Sequence, residues 1–158
     1  MFDYLQEIDF QSVLNTFLMA MVPVIELRGA IVYGVAKGLA VPLAYLVSVA
    51  GNMVPVPFII LFVRRIFDWM KRSERLRKPI VWLERRAHSK GELVRKYSAI
   101  GLCILVAIPL PGTGAWTGAL VAAFLDMRLR KALPTIFLGV VIAGIIVTLI
   151  TYGAARVF

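Results

Sequence analysis

Two long uncharged segments constrain the fold of this chain more than any other feature of its sequence. Residues 39–63 and 132–155 contain no Asp, Glu, Lys or Arg. Each is longer than the roughly 20 residues that a helix needs to cross the hydrocarbon core of a bilayer. The chain of 158 residues is 60% hydrophobic, and a soluble domain of that size has too little interior to bury so much apolar surface. The sequence therefore predicts an all-α integral membrane protein with two transmembrane helices.

Two further apolar segments are interrupted in the middle. Residues 12–36 contain Pro23 and the charged residues Glu26 and Arg28. Residues 99–125 contain the stretch Pro109-Leu110-Pro111-Gly112-Thr113-Gly114, and such prolines and glycines break helices. The arms on either side are about ten residues long, which reaches only about half-way through the core. Each segment predicts a re-entrant helical hairpin, and a kinked full crossing is the alternative for the second.

The basic residues indicate the orientation. The net charge is +9, and most Lys and Arg lie in residues 64–97. If residues 99–125 enter and leave on one side, the basic cluster at 128–131 shares a side with residues 64–97, as the excess of Lys and Arg in cytoplasmic loops requires. A full crossing would put the two clusters on opposite sides. The pattern favours two inverted repeats, each a re-entrant hairpin plus a transmembrane helix, an architecture that secondary transporters use.

The remaining segments complete a single membrane domain over residues 1–158. Residues 1–11 predict a short interfacial helix. Residues 64–97 carry apolar side chains at helical spacing, with Trp69 and Trp82, which is typical of amphipathic helices at the cytoplasmic membrane surface. A solvated basic connector is the alternative. The two repeats share little sequence, and the best local resemblance pairs Arg28-Gly29-Ala30 with Thr113-Gly114-Ala115.

Several function classes have little support in the sequence. The basic residues next to membrane segments are explained by orientation, so we expect no nucleic-acid partner. Cys103 is the only cysteine and His88 the only histidine, which suggests neither a disulfide nor a metal site. The motifs of zinc proteases, phosphate-binding loops and nucleophile elbows are absent from the sequence. We therefore expect a protein that is not an enzyme and needs no cofactor.

Glu26 and Arg28 are the strongest candidates for a functional site. Ionisable groups at membrane depth are costly, and they usually face a cavity or a partner. Two residues apart, they would not share a face of a regular helix, but a broken hairpin can bring them together. Glu26 is then a candidate proton- or cation-binding group, and Arg28 a candidate anchor for an anion. The alternative is a structural pair that holds the hairpin.

The second interruption is a candidate anion site. Gly112 and Gly114 leave the backbone open, and the N–H groups at the start of the following arm suit a phosphate or carboxylate. The Thr113 hydroxyl would add a donor, and Trp116 would line the same cavity or serve only in packing. A simple chain reversal is the alternative. Asn52 lies just before two prolines of the first transmembrane helix, where it could form a polar niche with freed carbonyls or sit in an ordinary kink.

Both interruptions resemble one family. Pro23 to Ala30 and Ile108 to Gly118 are similar to the corresponding stretches of the putative small multi-drug export protein family of prokaryotes, and the resemblance spans nearly the whole chain. Pro109 to Gly112 more distantly resembles the DedA family of membrane proteins. That resemblance implies two opposed re-entrant hairpins and proton-dependent translocation of a lipid carrier such as undecaprenyl phosphate.

The sequence thus predicts a multi-pass transporter or lipid-carrier translocase of the prokaryotic inner membrane, coupled to protons or ions. Its site between the hairpin tips would favour an anionic head group, with membrane lipids, a phosphate-bearing lipid or a small molecule as partners. A cationic-drug exporter and a non-transporting assembly or scaffold protein are the alternatives. Since two hairpins and two transmembrane helices form a thin wall, we also expect a homo-oligomer, most simply a dimer.

Overall fold

The computed structural model describes residues 10–72, 91–109 and 113–157. Within these ranges the chain is all α-helical, as the sequence predicts. The predicted interfacial helix at 1–11 lies outside the described residues except for its last two, and so do the middle of the basic segment 64–97 and Gly112. The helices are α1 Phe10–Met21, α2 Glu26–Ala36, α3 Val41–Met53, α4 Pro55–Arg72, α5 Gly91–Ala107, α6 Ala115–Phe124 and α7 Leu129–Val157.

Two apolar helical stretches are long enough to cross a membrane. Val41–Ile66 runs through α3 into α4, and Leu129–Gly153 makes up most of α7. Only 33% of the most apolar window of each is buried inside the protein, whereas the core helix of a soluble protein would be mostly buried. Large apolar side chains such as Leu46 and Leu149 point outward. The all-α architecture with two long apolar helices is confirmed, and it fits a protein that lies in lipid.

Proline explains where the first long stretch is interrupted. Pro42 lies in the first turn of α3, where its missing N–H costs nothing. Pro55 begins α4, and because it has no N–H to donate, the helical hydrogen bonds are interrupted at Val54. At the other end, α4 continues to Arg72 and therefore extends into the predicted basic segment. The apolar side chains that would contact lipid end before the helix does. The helix continues because Arg and Lys are good helix formers.

The shorter helices form two antiparallel pairs. In the first, α1 packs on α2, with Thr16 against Gly34 and residues 22–25 joining the helices. In the second, α5 packs on α6, with Val106 against Gly118. Each pair also packs on a long helix, α1 and α2 on α3, and α5 and α6 on α7. At about 1.5 Å per residue, α1, α2 and α6 are each too short to cross a bilayer.

The helices of the first half of the protein, α1 to α3, and those of the second half, α5 to α7, end and pack in the same way. Gly38 after α2 and Asp126 after α6 both have positive φ, and the next residue in each case donates its N–H to a carbonyl one turn back. Gly51 of α3 lies against the Phe17 carbonyl of α1, and Gly139 of α7 lies against the Cys103 carbonyl of α5.

All of these pairs are separated by the same number of residues in the sequence, and we call this separation the register. Gly38 and Asp126 have the same separation in sequence as Gly51 and Gly139, and as the first residues of α3 and α7. The register differs from the local resemblance in sequence, which pairs Gly29 with Gly114. Those two glycines have different surroundings, because Gly29 faces Ile25 of its own turn whereas Gly114 faces Glu26 of the other half.

Small side chains bring the second pair close to the rest of the protein. The buried residues of α6 are Ala115, Gly118, Ala119, Ala122 and Ala123. They allow α6 to pack closely against α4, α5 and α7 at once. The first residue of α6 is fully buried, so the N-terminus of this helix lies inside the protein, where it faces the start of α2.

Candidate functional site

The two helix interruptions contact each other. We call residues 21–28 the first tip and residues 108–116 the second tip. Hydrogen bonds join them in both directions: side chains of the first tip bind the backbone of the second, and the indole Nε1 of Trp116 donates to the carbonyl of Met21 at 3.1 Å. Of the seven predicted site residues, Glu26, Arg28, Thr113, Gly114 and Trp116 come together here.

Glu26 reaches from the first tip to the N-terminus of α6. Its Oε1 accepts a hydrogen bond from the backbone N–H of Trp116 at 3.3 Å. Glu26 is the first residue of α2, and its φ of 48° is uncommon for a residue with a side chain. Only 7% of the residue is exposed. The carboxylate thus occupies the place of an anion at a helix start, where free N–H groups and the helix dipole stabilise negative charge.

Gly114 makes this approach possible. A Cβ atom at Gly114 would overlap the Glu26 carboxylate, so any larger residue would displace that carboxylate from the N-terminus of α6. The sequence predicted an open glycine backbone ready for an external anion. The structure places the protein's own carboxylate against it.

Arg28 binds carbonyl groups of the second tip. Its Nη2 donates to the carbonyl oxygen of Thr113 at 2.6 Å, to that of Ile108 at 3.0 Å and to the Thr113 hydroxyl at 3.2 Å. The Thr113 hydroxyl donates in turn to the Ile108 carbonyl at 2.8 Å. These carbonyls flank the break between α5 and α6, where helical donors are missing. The guanidinium of the first tip therefore supplies hydrogen-bond donors to these carbonyls of the second tip.

Asn52 lies on α3, outside the two segments that form the tips. It is fully buried on α3, one residue after Gly51, which contacts α1. Its Oδ1 and the hydroxyl of Ser48, one turn earlier, have no hydrogen-bond partner among the described residues. Ser48 was missed by the sequence analysis, although its spacing of four from Asn52 on an apolar helix was a usable signal.

A second pair of charges ties α4 to the loop before α7. Arg64 donates to the Met127 carbonyl and forms an ion pair with Asp126 at 3.5 Å. Asp126 is mostly exposed, and surface ion pairs of this kind contribute little to stability. The sequence analysis treated Arg64 only as part of a basic cluster. Its position at the end of the apolar stretch of α4 does not reveal a partner so distant in sequence.

The junction combines a buried carboxylate with a guanidinium. Both charged groups are held mainly by backbone of the other tip, so a change in the charge of either one weakens the contact between the tips. Among the described residues, no group of three His, Cys, Asp or Glu could hold a metal ion. A carboxylate in this position can accept a proton or a cation, or it can be replaced by another anion.

Comparison with known proteins gives one match. The family model for the putative small multi-drug export protein matches residues 26–146, a range that begins at Glu26 and includes the second tip and most of both long apolar stretches. This confirms the resemblance predicted from the two tip sequences. No curated protein and no solved structure matches the chain, and the more distant resemblance to the DedA family stays a prediction.

Proposed function

The chain belongs to the putative small multi-drug export protein family, and on that premise we propose that it is a secondary-active membrane transporter coupled through Glu26. The observation that carries the proposal is the Glu26 carboxylate held at the N-terminus of α6. Ionised groups at membrane depth are costly and usually serve binding or transport. A carboxylate that joins two halves of a protein can also link proton binding to the opening of the junction.

We propose that the two halves are inverted repeats, each a re-entrant hairpin plus a membrane-spanning helix. The support is the common register of Gly38 with Asp126 and of Gly51 with Gly139. In the same register, Glu26 corresponds to Gly114, the residue that it contacts. Equivalent residues meet in this way when a pseudo-two-fold axis passes between them, as in transporters with midplane sites.

The topology has a direct test. In the inverted arrangement, residues 64–72 and 128–131 lie on the cytoplasmic side. Single cysteines introduced at Arg65 and at Arg130, in a chain whose Cys103 is replaced, should react with a membrane-impermeant thiol reagent from the same side. Labelling from opposite sides would rule out a re-entrant second hairpin.

The proposed step is an exchange at the start of α6. Protonation removes the charge of Glu26 and with it the attraction to the helix N-terminus. The Trp116 N–H and the open backbone at Gly114 are then available to an anionic group of the substrate. One proton and one negative charge enter together, so the net charge of the buried site does not change. This balance favours a substrate with a phosphate or carboxylate, such as a phosphate-bearing lipid.

A cationic-drug exporter is the second candidate function. Its support is the description of the family and the burial of Glu26, the one acidic side chain that the described residues bury. In this mechanism a cation and a proton compete for the carboxylate, and the substrate never contacts α6. The two candidate functions therefore differ in what the substrate binds. An anionic substrate binds the N-terminus of α6, whereas a cationic substrate binds the Glu26 carboxylate.

A flux assay in proteoliposomes distinguishes the candidates. The protein would be tested with phosphate-bearing lipids and with organic cations, each with and without a proton gradient. Glu26→Gln is the test variant, and Asp126→Asn, which changes an exposed acid outside the junction, is the matched control.

Each outcome has a meaning. Proton-driven flux of the phosphate-bearing lipid that is lost only in Glu26→Gln supports the proposal. Flux of organic cations alone favours drug export. If neither is transported and the junction stays closed, the protein is the assembly or scaffold protein that a tightly packed junction would suit.

A further inference from the structure

An apolar groove begins beside the tip junction and runs along α4. It has a volume of about 680 Å³, and its lining is almost entirely apolar, with Arg65 as its one charged residue. Phe58 and Phe62, both largely exposed, form much of its wall, and Trp116 forms its inner end. Trp116 is also the residue whose backbone N–H binds Glu26. The groove therefore shares Trp116 with the junction.

The length of the groove matches one leaflet of a bilayer. Pro55 lies at the end with Trp116, and Arg65 lies ten residues further along the same helix. Ten helical residues span about 15 Å, and the hydrocarbon part of one leaflet is also about 15 Å thick. One acyl chain would fit from the level of the junction to the membrane surface.

The outer end of the groove opens into a second, charged depression. This depression has a volume of about 610 Å³ and shares Phe62 and Arg65 with the groove. Asp68 and Arg72 follow on the same face of α4, and Trp69 lies beside them, as expected for an aromatic residue at a membrane surface. Two arginines and one aspartate give the depression a net positive charge. No hydrogen bond or ion pair to another described residue engages Arg65.

We propose that the groove and the depression together bind one membrane lipid with an acidic head group. An acyl chain lies between Phe58 and Phe62 and ends against Trp116, while the head group binds Arg65 and Arg72. The proposal does not depend on the proposed function, because lipid binding requires no transport.

Charge argues against a second copy of the chain as the occupant. A two-fold axis along the membrane normal brings residues of equal depth together, so Arg65 would face the Arg65 of the partner, and Arg72 would face its own counterpart. Like charges placed together at an interface oppose association. An acidic lipid instead neutralises both arginines and covers the apolar wall at the same time.

Tryptophan fluorescence tests the proposal. The chain has three tryptophans, and Trp69→Phe with Trp82→Phe leaves Trp116 as the only one. This protein would be placed in phosphatidylcholine vesicles that contain a fixed fraction of lipid brominated near the chain end. The brominated lipid is either phosphatidylglycerol or phosphatidylcholine. We expect phosphatidylglycerol to occupy the site next to Trp116 about fivefold more often at equal fraction, since one net basic residue near the surface favours anionic lipid by about that factor.

Three variants keep the test decisive. Arg65→Gln with Arg72→Gln should abolish the preference, whereas Arg130→Gln, which removes an exposed basic residue outside the groove, should preserve it. Ile59→Phe should narrow the groove and lower quenching by both lipids. Equal quenching by the two lipids, or a preference that survives loss of both arginines, would overturn the proposal. Weak quenching by both lipids would also overturn the proposal, because no acyl chain would then lie against Trp116.

Discussion

The two tips occupy equivalent places in the two halves but contribute opposite chemistry. In the register set by the helix ends, Glu26 corresponds to Gly114 and Arg28 corresponds to Trp116. The first tip supplies two ionised side chains. The sequence of the second tip contains no ionisable side chain, and it supplies backbone N–H and carbonyl groups instead.

This difference explains how the tips can meet at all. Two carboxylates at equivalent positions would repel each other at the junction, and two glycines would leave the N-terminus of α6 without an anion. One glutamate and one glycine fit together because the glycine leaves room for the carboxylate. The packing of the halves is similar, whereas the chemistry of their tips is complementary. The predictions below test this division of roles.

The largest effect is expected for a substitution of Gly114, because it removes the open backbone of the second tip. Gly114→Val puts a branched side chain where the Glu26 carboxylate lies. Overpacking and loss of the Trp116–Glu26 hydrogen bond together should cost about 3 kcal/mol or more of stability, and transport should be abolished. Thermal unfolding in detergent measures the first effect and the flux assay the second.

The control for this variant is Gly101→Ala on α5, where an added Cβ meets open space and should be tolerated. A double variant, Gly114→Ala with Glu26→Ala, should recover stability relative to Gly114→Ala alone, because the clash is then removed. If Gly114→Val folds and transports normally, the close contact between the tips does not exist.

Next in size is loss of the positive charge of the first tip. Arg28→Gln leaves the carbonyls of Ile108 and Thr113 with a weaker donor, and it leaves Glu26 as an ionised group without a nearby cation. The cost should be about 2 kcal/mol, again measured by thermal unfolding. Arg28→Lys should recover only part of it, since one ammonium cannot reproduce the planar guanidinium.

Arg130→Gln is the matched control, because it removes an exposed arginine outside the junction. If Arg28→Gln is no more destabilising than Arg130→Gln, the bonds to the second tip do not contribute to stability.

Much of the fold followed from the sequence, because apolar length and proline act locally. The two long helices are confirmed, and they depend on runs of residues without charge. Helix ends were harder to predict, since α4 continues to Arg72 after its apolar stretch has ended.

The candidate site was predicted as a set of residues but not as an arrangement. The N-terminus of α6 was recognised as a place for an anion. Its occupation by Glu26 depends on a contact between residues ninety positions apart, which no local pattern encodes. The correspondence between Gly38 and Asp126, and between Gly51 and Gly139, was also not found from the sequence. The sequence comparison aligned glycines, but in the structure the equivalent of Gly114 is a glutamate.

Loss of the negative charge of the first tip should affect function more than stability. Glu26→Gln keeps an oxygen that can accept the Trp116 N–H, and it loses only the attraction between charge and helix dipole, about 1 kcal/mol. Proton-driven flux should nevertheless be lost, because the amide cannot take up a proton. Glu26→Asp keeps the charge but shortens the reach to α6, so it should retain proton dependence at a reduced rate.

The two charges of the first tip should also be coupled. Leaving either one unpaired at membrane depth is costly, so Glu26→Gln combined with Arg28→Gln should be more stable than the sum of the single effects predicts. Additive effects in this double-mutant cycle would mean that the two side chains act independently, each on its own part of the second tip.

The smallest effect is expected for Thr113, whose hydroxyl binds the backbone of its own tip and Arg28. The Thr113 hydroxyl donates to the Ile108 carbonyl and accepts from Arg28. Thr113→Val removes both bonds, but the Ile108 carbonyl keeps its bond from Arg28 and is not left unsatisfied. The cost should therefore be about 1 kcal/mol or less, with proton-driven flux retained, and Thr113→Ser should resemble the unchanged protein. If Thr113→Val instead costs as much as Arg28→Gln and stops transport, the second tip acts through its side chain, and the division between charged side chains on one tip and bare backbone on the other is wrong.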